Sequence, residues 1–489
     1  MVEKGIDDAI KAGREITIST QDEAIQEVKE LADKHNLFSA LNSNYRDEKT
    51  SYPKHAANFL YNSHYVKDGE VLLKCYKDSF HAFKNGCYNK VSDNQIKSDI
   101  TKWAISTFHH MAKSNFEKEV FNILRRSLMV PDEIKYGDWF SSPKFKADYF
   151  TCCENGIICV KSSKISLIDH SPDFFSITKL PVEYNSESSC PKFEKFLNRV
   201  QPEEGSKNLI QEWLGYNLFF DTSREKFLIN VGEGANGKSV FLQIMKSLVG
   251  EKNFSCVLLE AFNPQRLFNL ASTDGKLANI IEELDEFGKG SEGLLKSFVS
   301  GQGIDVEKKH KDPYTMRPTA RITINTNVLP PLTDRSNGIW RRLLLVEWPV
   351  NIPKEEQNPL MLMEKYWKDE LSGILNWALA GLARLNENGM FTVPDSMTEN
   401  VEQFKRDRNP AIAFLQDDCV FEEKARTSDQ ELFNHYLGYC ERNNQKPLSK
   451  ANFGKEVQRY FPRVSKSKNA HKTKVGRFRV WEGIRLIKD

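Results

Sequence analysis

Phe227-Leu-Ile-Asn-Val-Gly-Glu-Gly-Ala-Asn-Gly-Lys-Ser239 (FLINVGEGANGKS) lies near the middle of the 489-residue chain and decides how the rest is read. Its first five residues form an apolar, β-prone run. Residues Gly232 to Ser239 satisfy G-x-x-x-x-G-K-[ST], and the VFLQIMKSLV that follows suits a helix. A strand, a glycine-rich turn and a helix N-terminus in that order make a cradle for phosphate. Gly232, Gly234 and Gly237 allow a tight turn, with Asn236 inside it, so that successive N–H groups face phosphate oxygens. Lys238 is expected to reach the β- and γ-phosphates and Ser239 to hold Mg²⁺, which makes ATP and Mg²⁺ the expected cofactors. The plain alternative is a glycine-rich strand-to-helix turn with an exposed lysine.

Such a cradle needs acids at the end of a neighbouring strand. KLANIIEELDEF supplies them: Leu277–Ile281 reads as a strand that ends at Glu282-Glu283. Glu282 is assigned to the metal and Glu283 to the attacking water, with Asp285 as the alternative if the strand runs longer. The ordinary reading of such acids is a solvated face. In a third run, ARITINTNVLPP, Asn327 either contacts the γ-phosphate or the attacking water, or simply closes a turn before Pro330.

From Glu225 to Pro349, β-like runs at 227–231, 277–281, 321–324 and 342–347 alternate with helical pieces, the pattern of a parallel α/β sheet. Outward from this block the texture changes. Residues 1–138 read as a mainly helical region, 139–205 as a small α+β domain, and 206–357 as the ATPase core. Residues 358–408 read as a helical lid and connector, and 409–489 as a separate basic domain. The chain is thus a multidomain α/β protein. Apolar residues at 39%, charged residues at 28% and a net charge of +2 describe an ordinary soluble protein. No apolar run is long enough to cross a membrane and the charged N-terminus does not read as a signal peptide, so a cytosolic location is expected. The closest cysteine group, Cys152, Cys153 and Cys159, lacks a CxxC pair and a fourth ligand, and reduced buried thiols are the expected state.

With the three elements in order, the chain resembles the superfamily III helicases, an AAA+ branch of viruses, phages and plasmids. It is most similar to the phage/plasmid and poxvirus primase-helicase group, over roughly residues 140 to 350. The resemblance implies an AAA+ P-loop core and a homo-hexamer that moves on single-stranded or forked DNA with 3′→5′ polarity. LLKSFVSGQGIDVEKKHKDPYTMRPTARITINTN looks like the segment whose β-hairpin carries a Lys-His pair into the central channel. On that likeness Lys309 and His310 hold the DNA backbone, with Lys308 and Lys311 nearby. The likeness also implies a trans-acting arginine, for which Arg342 has the similar spacing; Arg341 is adjacent and Arg335 is a further option. Many relatives carry a fused primase, but residues 1–140 show no acidic triad or zinc-ribbon cysteines, so a separate primase or polymerase is expected as partner.

From Glu441 to Asp489 there are 14 Lys and Arg against 4 Asp and Glu. Two helices followed by a β-like pair suggest a winged helix-turn-helix. Lys466, Lys468, Lys472 and Lys474 are its expected phosphate contacts. The leading reading is an ATP-driven replicative helicase of a phage, plasmid or other mobile element. Its rivals are an initiator that uses ATP only to assemble on DNA, and a P-loop nucleotide kinase or signalling ATPase.

Overall fold

The computed structural model describes residues 52–108, 114–141, 148–263, 267–284, 291–307, 313–329, 337–467, 471–473 and 476–487. Five strands build the central sheet: β1 (Phe227–Val231), β2 (Phe254–Ser255), β3 (Ala278–Ile281), β4 (Arg321–Thr326) and β5 (Leu343–Glu347). Their order is β2-β3-β4-β1-β5 and every pairing is parallel. Ile229 of β1 stands beside Ile324 of β4 on one side and Leu345 of β5 on the other. Both faces of the sheet are covered, so all residues of β3 and β4 are buried, including the polar Thr323 and Asn325 that alternate with Ile322 and Ile324.

One core joins the sheet to what precedes and follows it. Phe193, Trp213, Phe241, Trp348, Leu375 and Leu382 share a single buried cluster. The helix Leu371–Asn388 packs on the helix Glu204–Tyr216, and fully buried Glu212 binds them through Arg384 Nε at 2.8 Å and the Thr392 amide at 2.7 Å. The segment expected to be a lid is therefore partly core. Residues 358–408 hold two long helices, Leu371–Asn388 and Asp395–Arg408, preceded by short helical turns.

The N-terminal region also differs from expectation. Among the described residues, helices Tyr52–Asn62, Asp93–Phe108 and Ser114–Ser127 are present, but strands Leu73–Tyr76, Ser79–Lys84 and Cys87–Val91 form an antiparallel sheet between the first two. Two tight turns fold it: Lys77-Asp78 at φ 45° and 58°, and Asn85-Gly86 at φ 55° and 85°. Nor does a boundary fall near residue 138. The Gly137 amide donates to the Phe175 carbonyl and the Tyr88 amide to that of Ser176, while Tyr76, Tyr88, Ile134 and Phe175 share one cluster.

The C-terminal unit runs helix Pro410–Asp417, strand Cys419–Ser428, helices Asp429–Arg442 and Lys450–Tyr460, then short strands ending in Val480–Leu486. Strand Val480–Leu486 lies between Cys419–Ser428 and Ser465–Lys466. Its core holds Phe414, Tyr436, Phe453 and Trp481.

Candidate functional site

In an open parallel sheet, ligands bind beyond the carboxyl ends of the strands where the strand order reverses. Here the reversal flanks β1, since the chain passes from β1 out to β2 and later crosses from β4 over β1 to β5. A cavity of about 420 Å³ opens at that point. Gly234 to Ser239, Glu282, Glu283 and Asn325 to Asn327 line it, so the residues expected from three separate segments do converge.

The glycine-rich turn leads from β1 into a helix. Gly237 sits at φ 93° immediately before the helix Lys238–Val249, with Phe196 and Val200 atoms 3.1 Å from where a Cβ would be. At Gly232 a Cβ would stand 2.6 Å from the Trp348 carbonyl. Gly234 differs: nothing lies within 4 Å of a Cβ there, so its open side faces only the cavity.

Lys238 is buried and donates to the carbonyls of Gly232 and Glu233 and to Asn236 Oδ1. Among the described residues no carboxylate pairs with it. Burial alone lowers its pKa below the ordinary lysine value, and a nearby anion would reverse that shift. The Ser239 hydroxyl lies at the exposed start of the same helix.

The two acids occupy different settings. Glu282 directs Oε1 to the Lys246 ammonium, whereas Glu283 is exposed at the cavity. Asn327 is exposed just past the end of β4.

Sequence reasoning passed over Asn325, which is 2% exposed and ends a buried relay. Trp348 Nε1 donates to Asn230 Oδ1 at 3.0 Å, and Asn230 Nδ2 donates to Asn325 Oδ1 at 2.9 Å. An indole N–H can only donate, so it fixes the polarity of both amides and leaves Nδ2, a donor, as the other end of Asn325. Asn230 inside an apolar strand was the available signal. The apolar wall of the cavity was missed as well: Phe196, Ile352, Pro359, Met361 and Leu362 face the cradle.

The arginine pair is resolved by burial. Arg342 is held within its own chain by Glu225 Oε2 at 2.7 Å, Ser300 Oγ at 2.8 Å and the Gly338 carbonyl at 2.8 Å. With its side chain 9% exposed, it is not free to reach a neighbouring subunit, contrary to the expectation from spacing. Arg341 is 66% exposed, 3.8 Å from Glu225.

In the C-terminal unit, Lys466 is ion-paired to Asp429 Oδ1 at 2.5 Å and lies over the Trp481 ring, so it braces the fold rather than projecting freely. Burial opposes the Asp429 charge, but Lys466 and Lys450 outweigh it and hold the carboxyl below the usual aspartate value. Lys472 lies in the strand His471–Thr473. Lys308, Lys309, His310, Lys311, Asp285, Arg335, Lys468 and Lys474 lie outside the described residues. Cys152 and Cys153 are buried thiols whose pKa burial raises; Cys153 Sγ donates to Asn155 Oδ1 and the Gly156 carbonyl. No helix among the described residues is long and apolar enough to cross a membrane.

Three family models match parts of the chain. Residues 63–202 match one described as D5 N terminal like, residues 230–342 a family of unknown function (DUF5906), and residues 408–468 the RFX DNA-binding domain. The first crosses position 138, in keeping with the contacts there. A protein of Acanthamoeba polyphaga mimivirus named "Putative helicase" is 28% identical over 156 residues, 31% of this chain and 16% of that protein. The chain thus matches about a sixth of that relative's length. Among solved structures, the A form apo structure of the NrS-1 C terminal region aligns at a TM-score of 0.45 and 10% identity, covering 84% of this chain and 97% of that one. Another apo structure of the same region gives 0.42 and 11%, covering 83% and 94%.

Proposed function

We propose that the chain is an ATP-dependent DNA helicase of the superfamily III, AAA+ type, serving replication in a virus, phage or other mobile element. One observation carries this reading: the cradle, the acids after β3 and the asparagines after β4 meet in one cavity at the reversal point of a parallel sheet. The D5 N terminal like match and the mimivirus relative support the viral helicase setting, and the RFX match supports a winged DNA-binding unit at the C-terminus.

The residues suit ATP with Mg²⁺. A buried lysine without a carboxylate, an open glycine face, a serine hydroxyl and two acids are the donor set that triphosphate and a hard cation require. Mg²⁺ would neutralise charge on the phosphate oxygens, held by Ser239 and, through water, by Glu282. Lys238 leaves its carbonyl partners for phosphate, and Glu283 takes a proton from the attacking water. Asn325 and Asn327 present polar groups beside the γ-phosphate, and the Phe196 to Leu362 wall encloses the purine. Arg341 of a neighbouring subunit completes the site in a hexamer, which makes hydrolysis depend on assembly. Lys309 and His310 grip the DNA backbone and move with the site, with 3′→5′ polarity.

The basic C-terminal unit favours one rival, an initiator that assembles on duplex DNA without unwinding it. ATP hydrolysis by wild type and Lys238→Ala tests the nucleotide assignment. A loss of at least about 100-fold with an unchanged unfolding profile is expected, and hydrolysis at wild-type level would refute it.

A further inference from the structure

A cavity of about 220 Å³ lies where the D5-like unit meets the sheet domain. It opens near the amino ends of β2 and β3, away from the nucleotide cavity at their carboxyl side. Lys77 and Lys90 line it from the first unit, Lys252 and Lys276 from the second. The single carboxylate among its lining residues, Asp274, is already engaged: Tyr314 Oη donates to it at 3.1 Å and Lys77 Nζ stands 3.6 Å away. Four lysines against one aspartate leave a small polar space with three positive charges in excess. Like charges gathered in this way repel one another, and an anion relieves the repulsion. Burial already lowers the pKa of Lys276, which donates to the Lys252 carbonyl.

The position also matters. Tyr314 begins the strand Tyr314–Met316, which pairs with Ile304–Val306, and Lys77 lies 5.7 Å from the Tyr314 ring centre. Tyr314 pairs with Val306, so through Asp274 the cavity lies beside the loop-side end of this strand pair, next to the connecting segment whose sequence contains Lys308 to Lys311.

We propose that this junction binds a backbone phosphate of single-stranded DNA and leads the strand to the hairpin, an inference that rests on the DNA reading above. Lysines neutralise phosphates without reading bases, which suits a strand of any sequence.

The test is binding of labelled oligo-dT to the full chain across a salt series, for wild type and Lys90→Ala with Lys252→Ala. Neither residue touches the nucleotide cavity. Loss of one phosphate contact reduces the salt slope by about 0.7, so a slope shallower by about 0.7 and an affinity about 5-fold weaker at ~0.1 M salt are expected. ATP binding at one equivalent per chain in both proteins confirms the fold. Wild-type affinity and slope in the variant overturn the junction while leaving the helicase reading intact. No oligo-dT binding by wild type overturns the helicase reading itself. A second ATP equivalent held by wild type and lost in the variant would assign the cavity to a free nucleotide and overturn the strand proposal.

Discussion

Arg341 and Arg342 are adjacent and chemically identical, yet the structure gives them opposite consequences when truncated. Arg342→Ala removes a buried guanidinium that joins Glu225, Ser300 and the Gly338 carbonyl, tying the start of β5 to the residue that follows the helix Ser291–Val299. Breaking a buried ion pair costs about 3–5 kcal/mol; because Glu225 keeps 43% exposure, about 2–4 kcal/mol is expected here. Arg341 is largely exposed with a long contact to the same carboxylate, and such pairs contribute about 0–1 kcal/mol. Urea unfolding of both variants, followed with ATPase assays of mixed subunits, separates the roles. Arg342→Ala should unfold at lower urea. Arg341→Ala should unfold as wild type does, yet impair neighbours that carry an intact cradle. Equal destabilisation by the two, or a stable Arg342→Ala that alone impairs its neighbours, would refute the reasoning.

Three further outcomes follow from the cavity. Because burial lowers the Lys238 pKa and bound triphosphate would raise it, ATP affinity would be full below the free-chain pKa and fall as pH rises from there through the bound-state pKa. Titration of a fluorescent nucleotide from neutral pH to beyond the ordinary lysine value of about 10.4 should show this decline, with a flat profile for Lys238→Arg, whose charge persists over that range. Trp348→Phe strips Asn230 Oδ1 of its donor, which should cost about 1–3 kcal/mol and slow hydrolysis more than it weakens nucleotide binding, as read by kcat against KM. Gly232→Ala should abolish nucleotide binding because its Cβ meets backbone, whereas Gly234→Ala should keep the wild-type unfolding free energy within about 0.5 kcal/mol and alter only nucleotide affinity.

That the three segments meet in one cavity was largely legible because each part has a local signature. The cradle has fixed spacing, and acids that end an apolar strand identify its carboxyl end. What escaped depended on contacts between distant segments. Nothing local in Thr323-Ile-Asn-Thr-Asn327 tells which asparagine is buried; that follows from Trp348, which is remote in sequence from the strand holding Asn230. Spacing pointed to Arg342, but Glu225 and Ser300 lie 117 and 42 residues away. The N-terminal sheet was a different failure. Its Asn85-Gly86 turn was a readable hairpin signal, outweighed by the strong helical periodicity of the residues that follow.

Displacement of a labelled strand from a forked duplex, with ATP hydrolysis measured in parallel with and without single-stranded DNA, tests the central claim most directly. The account predicts ATP-dependent displacement together with hydrolysis stimulated by the single strand. Binding to the fork and hydrolysis without displacement would contradict it and favour an initiator.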